Sequence, residues 1–332
     1  MNFKVALTIA FCFGTAAAAQ QRNGFPQPTA AKEVTVTAIP GVIAAGAKWK
    51  LVWQGADNAD GIIGTKDGGL LFAQEQPSTV GMLDRNDKFS ILVRDTHGTG
   101  ALAYDNKGRL IGAERTCSDP GGRPADCKEP AELVVLYPTR SVLASKFGDK
   151  TFWRMGEVVA DSKGGAYFSD DEGTYFVNAV GKVTLVAGKE VRTNGMALSR
   201  DEKTLYLTNG RAIVTFDVQP DGTTKNQRDF AMLQSNGDGM CIDSEGRLYV
   251  TAGDTGIQVF SVEGKSLGII PLPRSASSVA FSGPDKKVLY AKGAGMTTPD
   301  GKEYRTPEGV RNNAKAIYRI DTIAQGYKGR PK

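Results

Sequence analysis

The stretch Asp243-Ser244-Glu245-Gly246-Arg247-Leu248-Tyr249-Val250 decides how this chain folds, because its pattern returns five more times. The other copies are Lys66-Asp67-Gly68-Gly69-Leu70-Leu71-Phe72, Asp105-Asn106-Lys107-Gly108-Arg109-Leu110, Asp161-Ser162-Lys163-Gly164-Gly165-Ala166-Tyr167-Phe168, Asp201-Glu202-Lys203-Thr204-Leu205-Tyr206-Leu207 and Asp285-Lys286-Lys287-Val288-Leu289-Tyr290. Each joins an apolar strand, through a turn carrying Asp, Gly or Lys, to a second strand with Leu or Tyr. The aspartates at 67, 105, 161, 201, 243 and 285 are 38, 56, 40, 42 and 42 residues apart. A period near 40 residues, made only of strands and turns, is the signature of a propeller with four strands per blade. Six copies therefore predict an all-β, six-bladed β-propeller over residues 41–325. The long interval reads as a loop insertion in the second blade. Residues 174–177 with 183–187, 212–218, 256–262 and 316–321 supply outer strands, and 48–54 is expected to close the ring against a C-terminal strand.

Working outward, the 332-residue chain shows almost no helical periodicity, so an α/β enzyme with helices between its strands is disfavoured. Its 40 glycines and 15 prolines suit many tight turns and follow no collagen period. The net charge of +5 is spread without a basic run, which argues against a nucleic-acid partner. The single histidine, His97, excludes zinc sites built on two or three imidazoles. A serine hydrolase is disfavoured, for there is no G-x-S-x-G elbow and His97 is the one imidazole base. Dinucleotide and P-loop glycine motifs are absent too; the run 41–48 lacks the Gly-Lys-Ser/Thr ending.

Residues 1–19 read as an export signal: Lys4, an apolar stretch from Val5 to Phe13, then Ala17-x-Ala19 as a cleavage site. The mature chain is expected to begin near Gln20 and to be periplasmic or secreted. The apolar stretch is too short to span a bilayer, and no later one is long enough. Residues 20–40 form a Gln-, Pro- and Ala-rich lead-in expected outside the ring, and 326–332 a C-terminal tail. Cys117 and Cys127 bracket a polar, turn-rich loop, and an oxidising compartment favours their pairing as a disulfide. Closing so short a loop contributes about 2–3 kcal/mol. Cys241, inside an apolar strand, is expected to stay a buried thiol.

Six equivalent positions open the inner strands and face the central channel: Asp60, Gly100, Gly156, Asn194, Asp238 and Ser277. The flanks Asp60-Gly61-Ile62, Asn194-Gly195-Met196 and Asp238-Gly239-Met240 share one pattern. Two carboxylates and an amide converging from three blades suit a hard divalent cation. Without one, the carboxylates repel and one takes up a proton. The competing reading is that Asp-Gly and Asn-Gly are only turn dipeptides.

These residues also carry a family resemblance. The run from Asn194 to Tyr206, N-G-M-A-L-S-R-D-E-K-T-L-Y, resembles the "PNG-aLSpDekTLY" segment of the senescence marker protein / gluconolactonase / luciferin-regenerating enzyme family. Gly237 to Thr251 resembles its "GDGm-vD-eGnLYvT" segment, Asp161 to Asp170 its "D-dGs-YFtD" strand, and Asp105 to Glu114 its "D-eGRLl-ae" strand. The likeness runs from Asp60 to Asp321 and is most specific in blades three to five. It implies a six-bladed propeller with a divalent metal in the channel, calcium foremost, with magnesium, manganese or zinc as alternatives. It implies Asp60, Asn194 and Asp238 as metal ligands and Asp238 as the base that activates water. The chain departs from the pattern twice. Asp60 stands where the family has the Glu of "EGP", and Gly156, followed by Glu157, stands where it has the Asn of "NDv".

The resulting expectation is a metal-dependent hydrolase of a sugar-lactone-like cyclic ester. His97, Arg154, Glu157 and Arg115 are candidate substrate-binding residues, although His97 reads more as a solvated loop residue. Glu114 and Arg115 could line the entrance, although surface-exposed charges are the commoner outcome, and Trp153 reads as packing more than as a sugar platform. Two alternatives stay open: a binding or scaffold propeller with a structural cation, and a phosphotriesterase-type hydrolase.

Overall fold

The computed structural model describes residues 31–55, 58–115, 129–294 and 315–329. The export segment and the expected Cys117–Cys127 pair lie outside the described residues. Six four-stranded antiparallel sheets make six blades. Blade one holds Ile62–Gly64, Leu70–Gln74, Thr79–Leu83 and Phe89–Arg94. Blade two holds Ala101–Tyr104, Leu110–Ala113, Leu133–Tyr137 and Ser141–Ala144. Blade three runs Val158–Ala160, Ala166–Asp170, Gly173–Val177 and Val183–Gly188. Blade four runs Met196–Leu198, Thr204–Asn209, Ala212–Val218 and Thr224–Met232. Blade five is Met240–Ile242, Leu248–Thr251, Ile257–Phe260 and Ser266–Ile270.

Blade six takes Ala276–Ser282, Val288–Ala294 and Lys315–Asp321 from the C-terminal part and its outermost strand, Lys50–Gly55, from the N-terminal part. Lys50 pairs with Arg319 and Gly55 with Lys315, so the ring is closed by the strand that the sequence pattern assigned to that task. This closure ties the two ends of the propeller together through a sheet ladder.

The repeated turn has a simple cause. The Oδ1 of Asp105, Asp161 and Asp243 accepts two backbone N–H groups, two and four residues on, at 2.7–2.9 Å. Gly108, Gly164 and Gly246 then take the left-handed conformation (φ 75°, 93° and 82°) that reverses the chain. In blades one and four a hydroxyl does this work. Thr65 Oγ1 accepts from Gly69 N at 2.7 Å, and Ser199 Oγ accepts from Thr204 N at 3.0 Å. The aspartates at 67 and 201, aligned by spacing, thus sit two residues past the true turn position.

The core is a set of layers between neighbouring blades. Ile63, Leu71, Leu102 and Leu110 join blades one and two. Ile111, Phe152, Val158 and Phe168 join two and three, and Tyr167, Phe176, Leu205 and Leu207 join three and four. Tyr249 and Phe281 meet edge-on between blades five and six, with ring centres 5.0 Å apart. Contrary to the expectation for the lead-in, Val36 and Ile39 are buried in that same layer, together with Val42 and Ile43. Their apolar side chains gain more by covering the blade faces than by staying in water.

Candidate functional site

The geometry at the heads of the inner strands starts at the backbone. Asp60 N donates to Ala73 O at 2.8 Å, Gly100 N to Ala113 O at 3.0 Å, Gly156 N to Ser169 O at 2.8 Å and Asp238 N to Thr251 O at 2.9 Å. Each bond fixes a residue at the head of an inner strand against the end of the second strand in its own blade. Neighbouring blades then lock: Gly61 N donates to Gly100 O at 2.8 Å, and Gly239 N to Ser277 O at 3.0 Å.

The glycines of the Asp-Gly and Asn-Gly pairs are explained by this contact and not by a turn. None of Gly61, Gly195 and Gly239 has a positive φ. A Cβ on Gly195 would lie 2.0 Å from Asp238 O, and one on Gly61 2.8 Å from Ala101 Cα. Glycine is needed because the next blade's main chain passes there.

What surrounds these strand heads differs from a bare set of ligands. Arg115, two residues past the end of Leu110–Ala113, is buried. Its Nε donates to Met155 O at 2.6 Å, its Nη2 to Gly156 O at 3.1 Å, and its Nη1 to Asp60 Oδ2 at 2.7 Å and to Glu75 Oε1. Glu75 holds the corresponding place in blade one, two residues past Ala73. It is 3% exposed and also accepts from Asn58 Nδ2 at 3.0 Å. Lys292, 4% exposed on the second strand of blade six, donates to Asp60 Oδ1 at 3.2 Å. Arg154 lies 3.8 Å from Glu75 and, with a side chain 31% exposed, is the most accessible member of the cluster.

Gly100 belongs to this arrangement: a Cβ there would meet Arg115 Cζ at 2.2 Å. The glycines at the blade-two and blade-three positions are where the Arg115 side chain is received, the first by space and the second by its carbonyl.

The charges follow. Burial opposes ionisation of Asp60, but Lys292 and Arg115 outweigh it and hold the carboxyl well below the usual range. Burial pushes Glu75 up, against the pull of Arg115. Asp238 is half-buried at the opening of the blade-five inner strand. Desolvation, reinforced by the neighbouring Asp60 and Glu157 and opposed by Lys292, raises its carboxyl to about 7. Burial, with Lys292 nearby, brings the Lys315 ammonium down to about 8. Burial and the neighbouring Arg115 also lower Arg154.

Asp60, Asp238, Arg115, Arg154 and Glu157 are therefore brought into one electrostatic neighbourhood. Glu157 is buried, its Oε1 accepting from Val158 N at 3.0 Å. Asn194 is exposed and opens onto a cleft of about 620 Å³, shared with Asp170, Lys189, Arg192 and Asn236. His97 is exposed on its loop, with φ 48°. Glu114, 1% exposed, is held by Arg140 at 2.9 Å, and Trp153 is 48% exposed. Cys241 is buried. Sequence reasoning missed Glu75, Lys292 and Lys315. Glu75 could have been found by aligning it with Arg115 across two repeats. Lys292 is a lone charge between Ala291 and Gly293 in an otherwise apolar strand.

The expected divalent ion can be tested against this donor set. A hard cation binds oxygens with free lone pairs, and two of those assigned to it, both on Asp60, accept from Lys292 and Arg115. An ion there would have to displace an ammonium or a guanidinium, or sit beside both. Among the described residues no cluster of three or more His, Cys, Asp or Glu is placed to hold a metal. The residues as arranged do not fit the ion.

Comparison with known proteins agrees with the fold and places the chain. A gluconolactonase from Xanthomonas campestris superposes with a TM-score of 0.70 at 19% identity, covering 91% of this chain and 99% of that one. A calcium-binding protein, regucalcin, from Agrobacterium tumefaciens superposes at 0.65 with 14% identity, over 85% and 96%. At these identities the likeness establishes the propeller fold alone. In sequence, a pentonolactonase of Haloferax volcanii is 30% identical over 237 residues, 68% of this chain and 74% of the relative. The family model described as the SMP-30/Gluconolactonase/LRE-like region matches residues 41–294, and the chain belongs to that family.

Proposed function

We propose that this protein is an exported hydrolase that opens a small lactone, or a similar cyclic ester, in the central channel. The observation that carries this reading is a half-buried carboxyl, Asp238, that feels the charges of Lys292 and Arg115, two cations fixed on Asp60 beside Arg154 on Glu75. The similarity to a pentonolactonase supports the substrate class. Asp238 takes a proton from water as the water oxygen attacks the lactone carbonyl carbon. The oxyanion that forms is stabilised by positive charge already in place, which needs no reorganisation during the reaction. Collapse of the tetrahedral intermediate breaks the ring C–O bond. The proton held by Asp238 passes to the departing alkoxide, leaving a hydroxy acid.

Arg154, the accessible cation, is assigned to holding the substrate, and the cleft lined by Asn194 to its entry. No step is routed through a metal ion, because Asp60 already carries two side-chain cations. Residues 1–19 direct export to the periplasm or beyond. A pH-indicator screen of sugar lactones, open-chain esters and chromogenic phosphotriesters tests the assignment. Acid release from one or more lactones, and much less from the other two panels, is expected. Turnover confined to phosphotriesters, or no turnover in any panel, overturns it.

A further inference from the structure

We infer that Arg115 and Lys292 stand where a divalent ion would bind in this channel, so that the site is built around side-chain cations and takes no resident metal. Three observations carry the inference. Both oxygens of Asp60 are engaged, Oδ2 by Arg115 at 2.7 Å and Oδ1 by Lys292 at 3.2 Å. The guanidinium is built in: it uses Nε, Nη1 and Nη2 on four partners drawn from blade one and from the 155–156 segment that leads into blade three. The chain has also been cleared to receive it, since a side chain at Gly100 would coincide with its Cζ.

The charges reach the same conclusion. Asp60 and Glu75 are balanced by Arg115 and Lys292 within hydrogen-bond distance. A divalent ion added to that balanced set would meet two fixed positive charges at short range, in a setting where water screens them poorly. The guanidinium is charged at every ordinary pH and presents its donors in a rigid fork, so it can hold two carboxylates as an ion would.

The experiment reads metal content and stability, and so is independent of whether any lactone is turned over. The purified full chain is analysed for calcium, magnesium, manganese and zinc. It is then melted with and without calcium or manganese at about 1 mM, near the weak end of protein calcium sites. The wild type is expected to carry far less than one ion per chain and to show the same Tm in all buffers. A stoichiometric ion, or a Tm raised by several degrees on adding one, overturns the inference. Lys292→Met is the second arm. It frees Asp60 Oδ1, should lower Tm, and should recover most of that loss with manganese or calcium. A folded Lys292→Met chain that no ion stabilises overturns the placement of Lys292 at the ion's position. Should that variant not fold, the wild-type metal content alone still decides the inference.

Discussion

Adding one methyl group at each of the three inter-blade glycines should destabilise the ring in a fixed order. A Cβ at position 195 falls 2.0 Å from the carbonyl oxygen and 2.8 Å from the carbonyl carbon of Asp238. At position 61 the nearest atoms are Ala101 Cα at 2.8 Å and Gly100 O at 2.9 Å, and at 239 they are Ser277 O and Ser278 Cα, both at 3.0 Å. All are main-chain atoms, which cannot swing aside as a long side chain could. Overpacking a well-filled interior costs about 1–3 kcal/mol. Gly195→Ala, which must move a blade by more than an ångström, belongs at about 3 kcal/mol or above. Gly61→Ala belongs at about 1–2 kcal/mol. Replacing Gly by Ala returns about 0.4–1 kcal/mol by stiffening the unfolded chain, so Gly239→Ala should be close to neutral. At about 2 °C per kcal/mol, the low end for a large domain, thermal unfolding should show losses of about 6 °C, 2–4 °C and less than 2 °C. Equal losses at the three sites, or a Gly195→Ala chain that melts with the wild type, would refute the inter-blade contact as the reason for these glycines.

Other consequences follow from the same geometry. Arg115→Met strips Asp60 and Glu75 of a shared partner and should cost about 3–5 kcal/mol in urea unfolding, as when one member of a buried ion pair is removed. Tyr249→Phe removes a 2.9 Å hydrogen bond to the fully buried Asp243 and should cost about 1.5–3 kcal/mol by the same measurement. Because Asp238 is raised to about 7, its protonated form is favoured by folding. That stability is present below the ordinary carboxyl range and is lost as pH rises through 7, so Asp238→Asn should be more stable than wild type at pH above about 8. For the same reason hydrolysis should rise with pH through about 7 in a pH–rate profile, and an acid optimum would contradict the assignment of Asp238 as base.

Much of the architecture could be read from the repeat, since a turn that recurs with strand partners leaves few ways to bury so many apolar strands. The closing strand, expected at 48–54, is Lys50–Gly55 paired with Lys315–Asp321. The register was legible to within two residues. Hydroxyls at Thr65 and Ser199 replace the turn carboxylate in two blades, and a pattern keyed to Asp slides to the next one along. The repeated dipeptides pointed to Asp60 and Asp238, whose charges interact, whereas Asn194 is exposed and opens onto a cleft. The site was not legible where one blade sends a residue that the others lack. Arg115 and Lys292 meet at Asp60 across positions 55 and 232 residues away, and no local pattern records such a meeting. Gly156 stands where the family pattern has an Asn; the fold makes it, with Gly100, the receptacle of a guanidinium.

The central claim is tested most directly by measuring hydrolysis of the best lactone from the indicator screen, with excess chelator, by wild type and Asp238→Asn. The account predicts undiminished turnover by the chelated wild type and a loss of about 10²–10⁴-fold in the variant, the usual worth of a general base. Turnover by Asp238→Asn at the wild-type rate, or a wild type silenced by the chelator and restored by a divalent ion, would contradict it.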